Sequence, residues 1–179
     1  MNKKNKWLRG ICIFICCMLV LVFAAGCSDK NENEETFESE YKIGDKCVKN
    51  GLKIIATDFK TVEPTDEHKP ALKKMFVQID FRIENLNPEK HVISSHLMAN
   101  ASVKDKSNAN SYLIMESDNA KNANPDFKTL SGVIESNGVL EGSLAYEVNS
   151  DWASINIQIK TIIDSNKNKD TVNFLIENK

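Results

Sequence analysis

The chain has 179 residues, 41% hydrophobic and 27% charged, with a formal net charge of −2. That balance supplies one packed core and excludes a disordered or collagen-like chain. Arg9 and Arg82 are the only arginines and there is no basic excess, so a surface built to gather phosphates is disfavoured and nucleic acid is not an expected partner.

Lys3, Lys4, Lys6 and Arg9 precede an uncharged apolar run over residues 11–25, the order of the n-region and h-region of an export signal. As a helix, that run reaches only about 22 Å, against roughly 30 Å of bilayer hydrocarbon, so cleavage is expected and not a permanent span. Ala24-Ala25-Gly26-Cys27 then resembles the lipobox of bacterial lipoproteins. There, small residues fit the signal peptidase cleft and the cysteine thiol takes a diacylglyceryl group; Ala24 stands where Leu is most frequent. The resemblance implies cleavage before Cys27, acylation of that residue, and anchoring to the cell membrane at its extracytoplasmic face. Two or three acyl chains make such an anchor essentially permanent, where one would be marginal.

The expected organisation is a signal peptide over 1–26, an acylated cysteine and acidic tether over 27–40, and one domain over 41–179. Losing the first 26 residues removes four positive charges and no acidic residue, which takes the formal charge from −2 to −6. The tether carries Asp29, Glu32, Glu34, Glu35, Glu38 and Glu40, with Phe37 as its one large apolar residue. Such a composition predicts a disordered spacer spanning roughly 20 Å. Cys12, Cys16 and Cys17 leave with the signal, and Cys27 takes the lipid. Cys47 is left without a bridging partner and is expected to be a small buried hydrophobe, so the fold must be held by its core.

Beyond Tyr41 the dominant signal has period two. Met75, Val77, Ile79, Phe81 and Ile83 alternate with Gln78, Asp80, Arg82 and Glu84, which predicts a half-buried strand. Leu140, Leu144, Tyr146 and Val148 behave likewise, as do Ile155, Ile157 and Ile159, and Val172, Phe174 and Ile176. Turn chemistry separates these runs at Asn50-Gly51, 85–88, 106–110, Asn137-Gly138 and 165–170. Residues 91–100 have room for a short helical turn. An all-β domain of two packed antiparallel sheets follows. Residues 116–128, rich in Asn, Asp and Ala and containing Pro125, read as a long loop. Long loops in compact domains are often functional, so this one is a candidate contact surface.

Tyr41-Lys42-Ile43-Gly44-Asp45, the alternating strand over 76–85 ending in Asn, Gly138, and the run Gly142-Ser143-Leu144-Ala145-Tyr146-Glu147-Val148 together resemble the DUF4352 family of secreted, MPT63-like immunoglobulin-like domains. Tyr146 stands where that family usually has Phe, and Asn137 where it often has Pro. The resemblance implies an immunoglobulin-like antiparallel β-sandwich behind a lipoprotein signal. It carries no catalytic residues to transfer, and such a fold hosts many functions.

Chemistry-bearing patterns are sparse. Asp66, Glu67 and His68 cluster, with His91 and His96 further along, but none has ligand spacing, so no metal is expected. Residues 164–170 superficially resemble a calcium loop yet lack the Gly and acidic positions it needs. No nucleophile elbow and no phosphate loop is present, so neither an enzyme nor a cofactor is expected. The leading expectation is a non-enzymatic protein-binding or adhesion module with an envelope or extracellular protein partner. Its candidate contacts are Asp118, Lys121, Asn124 and Phe127 in the 116–128 segment, together with Trp152. The alternatives are a small-ligand or metal-binding lipoprotein, or an accessory subunit of an envelope enzyme or transporter.

Cys27→Ala is expected to leave an unprocessed precursor and to abolish incorporation of labelled palmitate; normal acylation of that variant would remove the anchor from the account.

Overall fold

The alternation over residues 75–83 builds the longest strand, β3 (Lys74–Asn85), in which Val77, Ile79, Phe81 and Ile83 are buried on one face. The computed structural model describes residues 40–162 and 170–178. The expected signal peptide and lipobox, with Ala24, Ala25, Gly26 and Cys27, lie outside the described residues, as do the tether up to residue 39 and the loop over 163–169.

In chain order the remaining elements are β1 (Lys46–Lys49), β2 (Leu52–Val62), β4 (His91–Ser94), α1 (Ser95–Met98), β5 (Ala99–Asp105), β6 (Tyr112–Ile114), α2 (Asp118–Ala123), β7 (Ser131–Ile134), β8 (Val139–Asn149), β9 (Trp152–Lys160) and β10 (Thr171–Glu177). They form two four-stranded antiparallel sheets, ordered β1-β2-β3-β8 and β10-β9-β5-β6, with β4 and β7 paired beside them. Because β3 pairs with β8 while β5 pairs with β9, the chain crosses between sheets as in an immunoglobulin-like sandwich. The Asn50-Gly51 turn is a two-residue hairpin loop joining Lys49 to its partner Leu52, with φ of 49° and 72°. Only residues tolerant of the left-handed region fit such a turn.

The inner faces meet in one core. Phe81 of β3 meets Phe174 of β10 edge-on, with ring centroids 5.5 Å apart, a favoured geometry for aromatic pairs. Cys47 is buried in the same cluster. So is Trp152, which corrects its expected role as a partner contact: it is 1% exposed and packs edge-on against Phe59 at 5.2 Å. The periodicity of β9 hides this, since Trp152 is even-numbered while Ile155, Ile157 and Ile159 are odd. A register shift opposite Lys104 and Asp105 inserts one extra residue and brings Trp152 round to the core face.

At the start of the described chain, Tyr41 donates its N–H to the Asn173 carbonyl at 2.9 Å and accepts from Leu175 N–H at 2.8 Å. Gly44 N–H then bonds to the Ala56 carbonyl at 2.8 Å, and β1 follows against β2. Residues 41–49 therefore cross from the edge of one sheet to the edge of the other.

Among the described glycines, Gly142 on β8 lies closest to neighbouring backbone. A Cβ there would lie 2.7 Å from Leu130 Cα and 2.8 Å from the Thr129 carbonyl oxygen, where the incoming chain bonds across β8 through Ser143 N–H to Lys128 O at 2.7 Å. Gly142→Ala is expected to cost about 1–3 kcal/mol by overpacking, read as a lowered urea midpoint at an unchanged slope; wild-type stability would show that this crossing yields freely.

Candidate functional site

The 116–128 segment is not the open loop its composition implies. Ser117 caps α2, its Oγ accepting from Ala120 N–H at 3.2 Å, which satisfies one of the unpaired donors of a helix start. Ala120 and Ala123 are buried against Phe76, Val62 and Ala145 on the outer face of β2, β3 and β8, and Phe127 packs on the same cluster. Asn and Asp are poor helix formers, so the turn exists because docking two alanines over an outward phenylalanine outweighs local propensity. Phe76 at the polar parity of β3 was the sequence signal that this face needs a cover.

Docking sorts the expected contacts. Asp118 is exposed, its side chain at 90%. Lys121 pairs with Glu116 and, at 3.4 Å, with Asp118. Burial opposes its charge, yet the bonds and fields of Glu116 and Asp118 prevail and hold its pKa above the ordinary lysine value. Asn124 turns inward, donating Nδ2–H to Gln78 Oε1 at 2.8 Å while its own Oδ1 accepts from Asp126 N–H at 3.1 Å. Phe127 is half-buried, and Trp152 belongs to the main core on a different strand.

The segment walls a groove on each flank. The larger, about 690 Å³, lies between residues 125–128 and the outer face of β2, β3 and β8. On its floor Gln78 Nε2 donates to Asp80 Oδ1 at 2.6 Å and to Ser143 Oγ at 3.0 Å, and Ser143 Oγ donates to Asp80 Oδ1 at 2.6 Å. Lys60 Nζ stands 3.7 Å from Asp80 Oδ2. Arg82 bridges Glu84 and Glu141, and those two hydrogen bonds raise its pKa. Hydrogen bonds from Lys53 and then Arg82 lower that of Glu84. Sequence reading had singled out none of these floor residues, because each looks like an ordinary solvated position of a half-buried strand.

The smaller groove, about 440 Å³, runs beside Glu116, Lys121, Tyr146 and His96. The Tyr146 phenol is pushed far above its ordinary range by burial and then by the Glu116 charge. Glu116 Oε1 is buried without a hydrogen-bond partner. Next to this groove, β6 forms a sheet edge carrying Leu113, and Met115 follows one residue beyond the strand; each is 82% exposed.

For metals, Asp66 and Glu67 are exposed in the β2–β3 connection, while His91 and His96 belong to β4 and α1. Among the described residues, no group of three His, Cys, Asp or Glu side chains is placed to hold an ion, and no helix is long and apolar enough to cross a membrane.

No family model matches the chain, and no curated protein matches it. Solved structures do. The candidate lipoprotein ycdA of Bacillus subtilis superposes with a TM-score of 0.58 at 13% identity over 78% of this chain. This chain spans only 39% of that structure's length. A functionally unknown protein of Listeria monocytogenes EGD-e superposes with a TM-score of 0.50 at 14% identity, over 78% of this chain and 83% of that one. At such identities the likeness establishes the β-sandwich fold alone.

Tyr112 gives the site's neighbourhood a pH signature. Its hydroxyl donates to Asp105 Oδ1 at 3.2 Å, and Asn149 Nδ2–H reaches both Asp105 Oδ2 at 2.8 Å and the Tyr112 oxygen at 3.0 Å. Burial, then the Asp105 carboxylate, pushes its pKa from 10.0 to about 12. A phenol harder to ionise when folded stabilises the fold below pH 10 and loses that contribution as pH rises through 12. Urea stability is therefore expected to fall across this window, and Tyr112→Phe to make the fall shallower; an identical slope in the variant would exclude Tyr112 as a source.

Proposed function

We propose that the chain is a lipid-anchored, extracytoplasmic, non-enzymatic module that binds an envelope or extracellular protein, with the anchor on Cys27 and the domain belonging to the DUF4352 type. The observation that carries this reading is the apolar edge strand β6. Natural sheets blunt their free edges by shortness, charge, proline or a cover; β6 is three residues long, yet it presents Leu113, and just beyond it Met115, to solvent at a sheet edge. Apolar side chains at an exposed sheet edge suit a partner that adds a strand or lays an apolar face there. The export signal, the lipobox and the description of the Bacillus subtilis fold neighbour as a candidate lipoprotein support the extracytoplasmic setting.

Deleting residues 116–128 would be a poor test, because it would uncover Phe76 and remove the backbone bonds that Ser117 and Lys128 make to β8. The paired change Leu113→Ser and Met115→Ser touches only exposed side chains. In crosslinked cells followed by mild-detergent extraction, one stoichiometric protein is expected to copurify with the native chain. It is expected to fall by roughly tenfold or more with the paired variant, as when interface anchors are removed. A copurified set that does not differ between the two chains would sink the proposal.

A further inference from the structure

We propose that the larger groove, between the outer face of β2, β3 and β8 and residues 125–128, is a saccharide site taking a neutral, polyhydroxylated chain. The site is separate from the β6 edge, and the inference does not depend on that edge binding a protein.

Charge comes first. Lys60, Arg82 and Lys128 line the groove alongside Asp80, Asp126 and Glu141, three cations against three anions. A charged ligand gains little net field from such a ring. A sugar hydroxyl, which both donates and accepts, finds a partner at every position.

The floor is also set in advance. Gln78, Ser143 and Asp80 Oδ1 hold one another at 2.6–3.0 Å, and Asn124 fixes Gln78 from the other side. Among the described residues, this leaves Asp80 Oδ2 facing the Lys60 ammonium alone, at 3.7 Å. Arg82 bonds Glu84 and Glu141 through Nε and Nη1, and among the described residues no bond occupies Nη2. Polar groups fixed before binding lose little freedom on binding.

The wall adds an apolar surface. Phe127 is half-buried on its core cluster and lines the groove with Pro125. An aromatic ring beside convergent hydrogen-bonding groups suits the C–H face of a pyranose.

An extended peptide fits the groove less well. The floor is the face of strands already paired through β2-β3 and β3-β8, and the outer side of β8 at Ser143 is bonded to Lys128 and Leu130. No main-chain edge is offered there for strand addition. The groove's size falls within the usual range for small-ligand sites.

The test is binding of the full chain, in detergent micelles, to an array of neutral and charged glycans, with polyglutamate and polylysine as charged controls. Saturable binding to one or more neutral glycans is expected. It is expected to weaken by about tenfold or more in the double variant Asp126→Ala, Lys128→Ala, both exposed positions, as when two hydrogen-bonding groups are removed. Phe127→Ala should weaken it too, while Leu113→Ser with Met115→Ser should leave it unchanged. No neutral glycan bound by the folded chain, binding indifferent to the Asp126 and Lys128 changes, or preference for a charged polymer would each overturn the proposal.

Discussion

The rest of the structure depends on β3 being buried on both faces over residues 76–79, a third of its length. Its inner side chains close the core between the sheets, but Phe76 and Gln78 face the other way and are also buried. Leaving a phenylalanine in water would forfeit about 1.5–3 kcal/mol. The chain avoids this by laying α2 across the strand, and that one requirement places the 116–128 segment, creates a groove on each of its flanks, and turns Asn124 toward Gln78.

Polar contacts divide by environment. The ladder of Lys53, Glu84, Arg82 and Glu141 lies on a solvated face, where such pairs are screened by salt and add little to stability. Asn85 is different. Fully buried at the end of β3, it donates Nδ2–H groups to the carbonyls of Glu89 at 2.7 Å and Ile134 at 3.2 Å, and accepts from Asn87 N–H at 3.0 Å. A buried amide with its groups satisfied fixes geometry, because every alternative leaves donors unpaired. The attachment of β4 and β7 to the sandwich is set there and not by the ion pairs.

Much of the sandwich was legible because period two marks the core face: the inner positions of β3, β8, β10 and of β9 from Ile155 recur at every second residue, and the Asn50-Gly51 and Asn137-Gly138 turns lie where positive φ is needed. Three features were not legible, for separate reasons. Helix α2 draws on contacts with Phe76 and Ala145 that its own Asn-rich sequence does not announce. Trp152 joins the core through a register shift, which breaks parity. The groove floor of Gln78, Asp80 and Ser143 is assembled from β3 and β8, residues 63 to 65 positions apart, and no local pattern links them. Candidate contacts chosen by position in a polar segment consequently included Asn124, whose side chain holds the segment down onto Gln78.

The entry of the chain at Tyr41 has a mechanical consequence. Its two backbone bonds to Asn173 and Leu175 lie in a parallel pairing with β10, and the next residues fasten to β2 on the opposite sheet. Tension drawn through residue 40 along the β10 axis therefore loads those two bonds side by side, in shear, instead of peeling them one after another, and the bond from Gly44 to β2 stands next in line behind them.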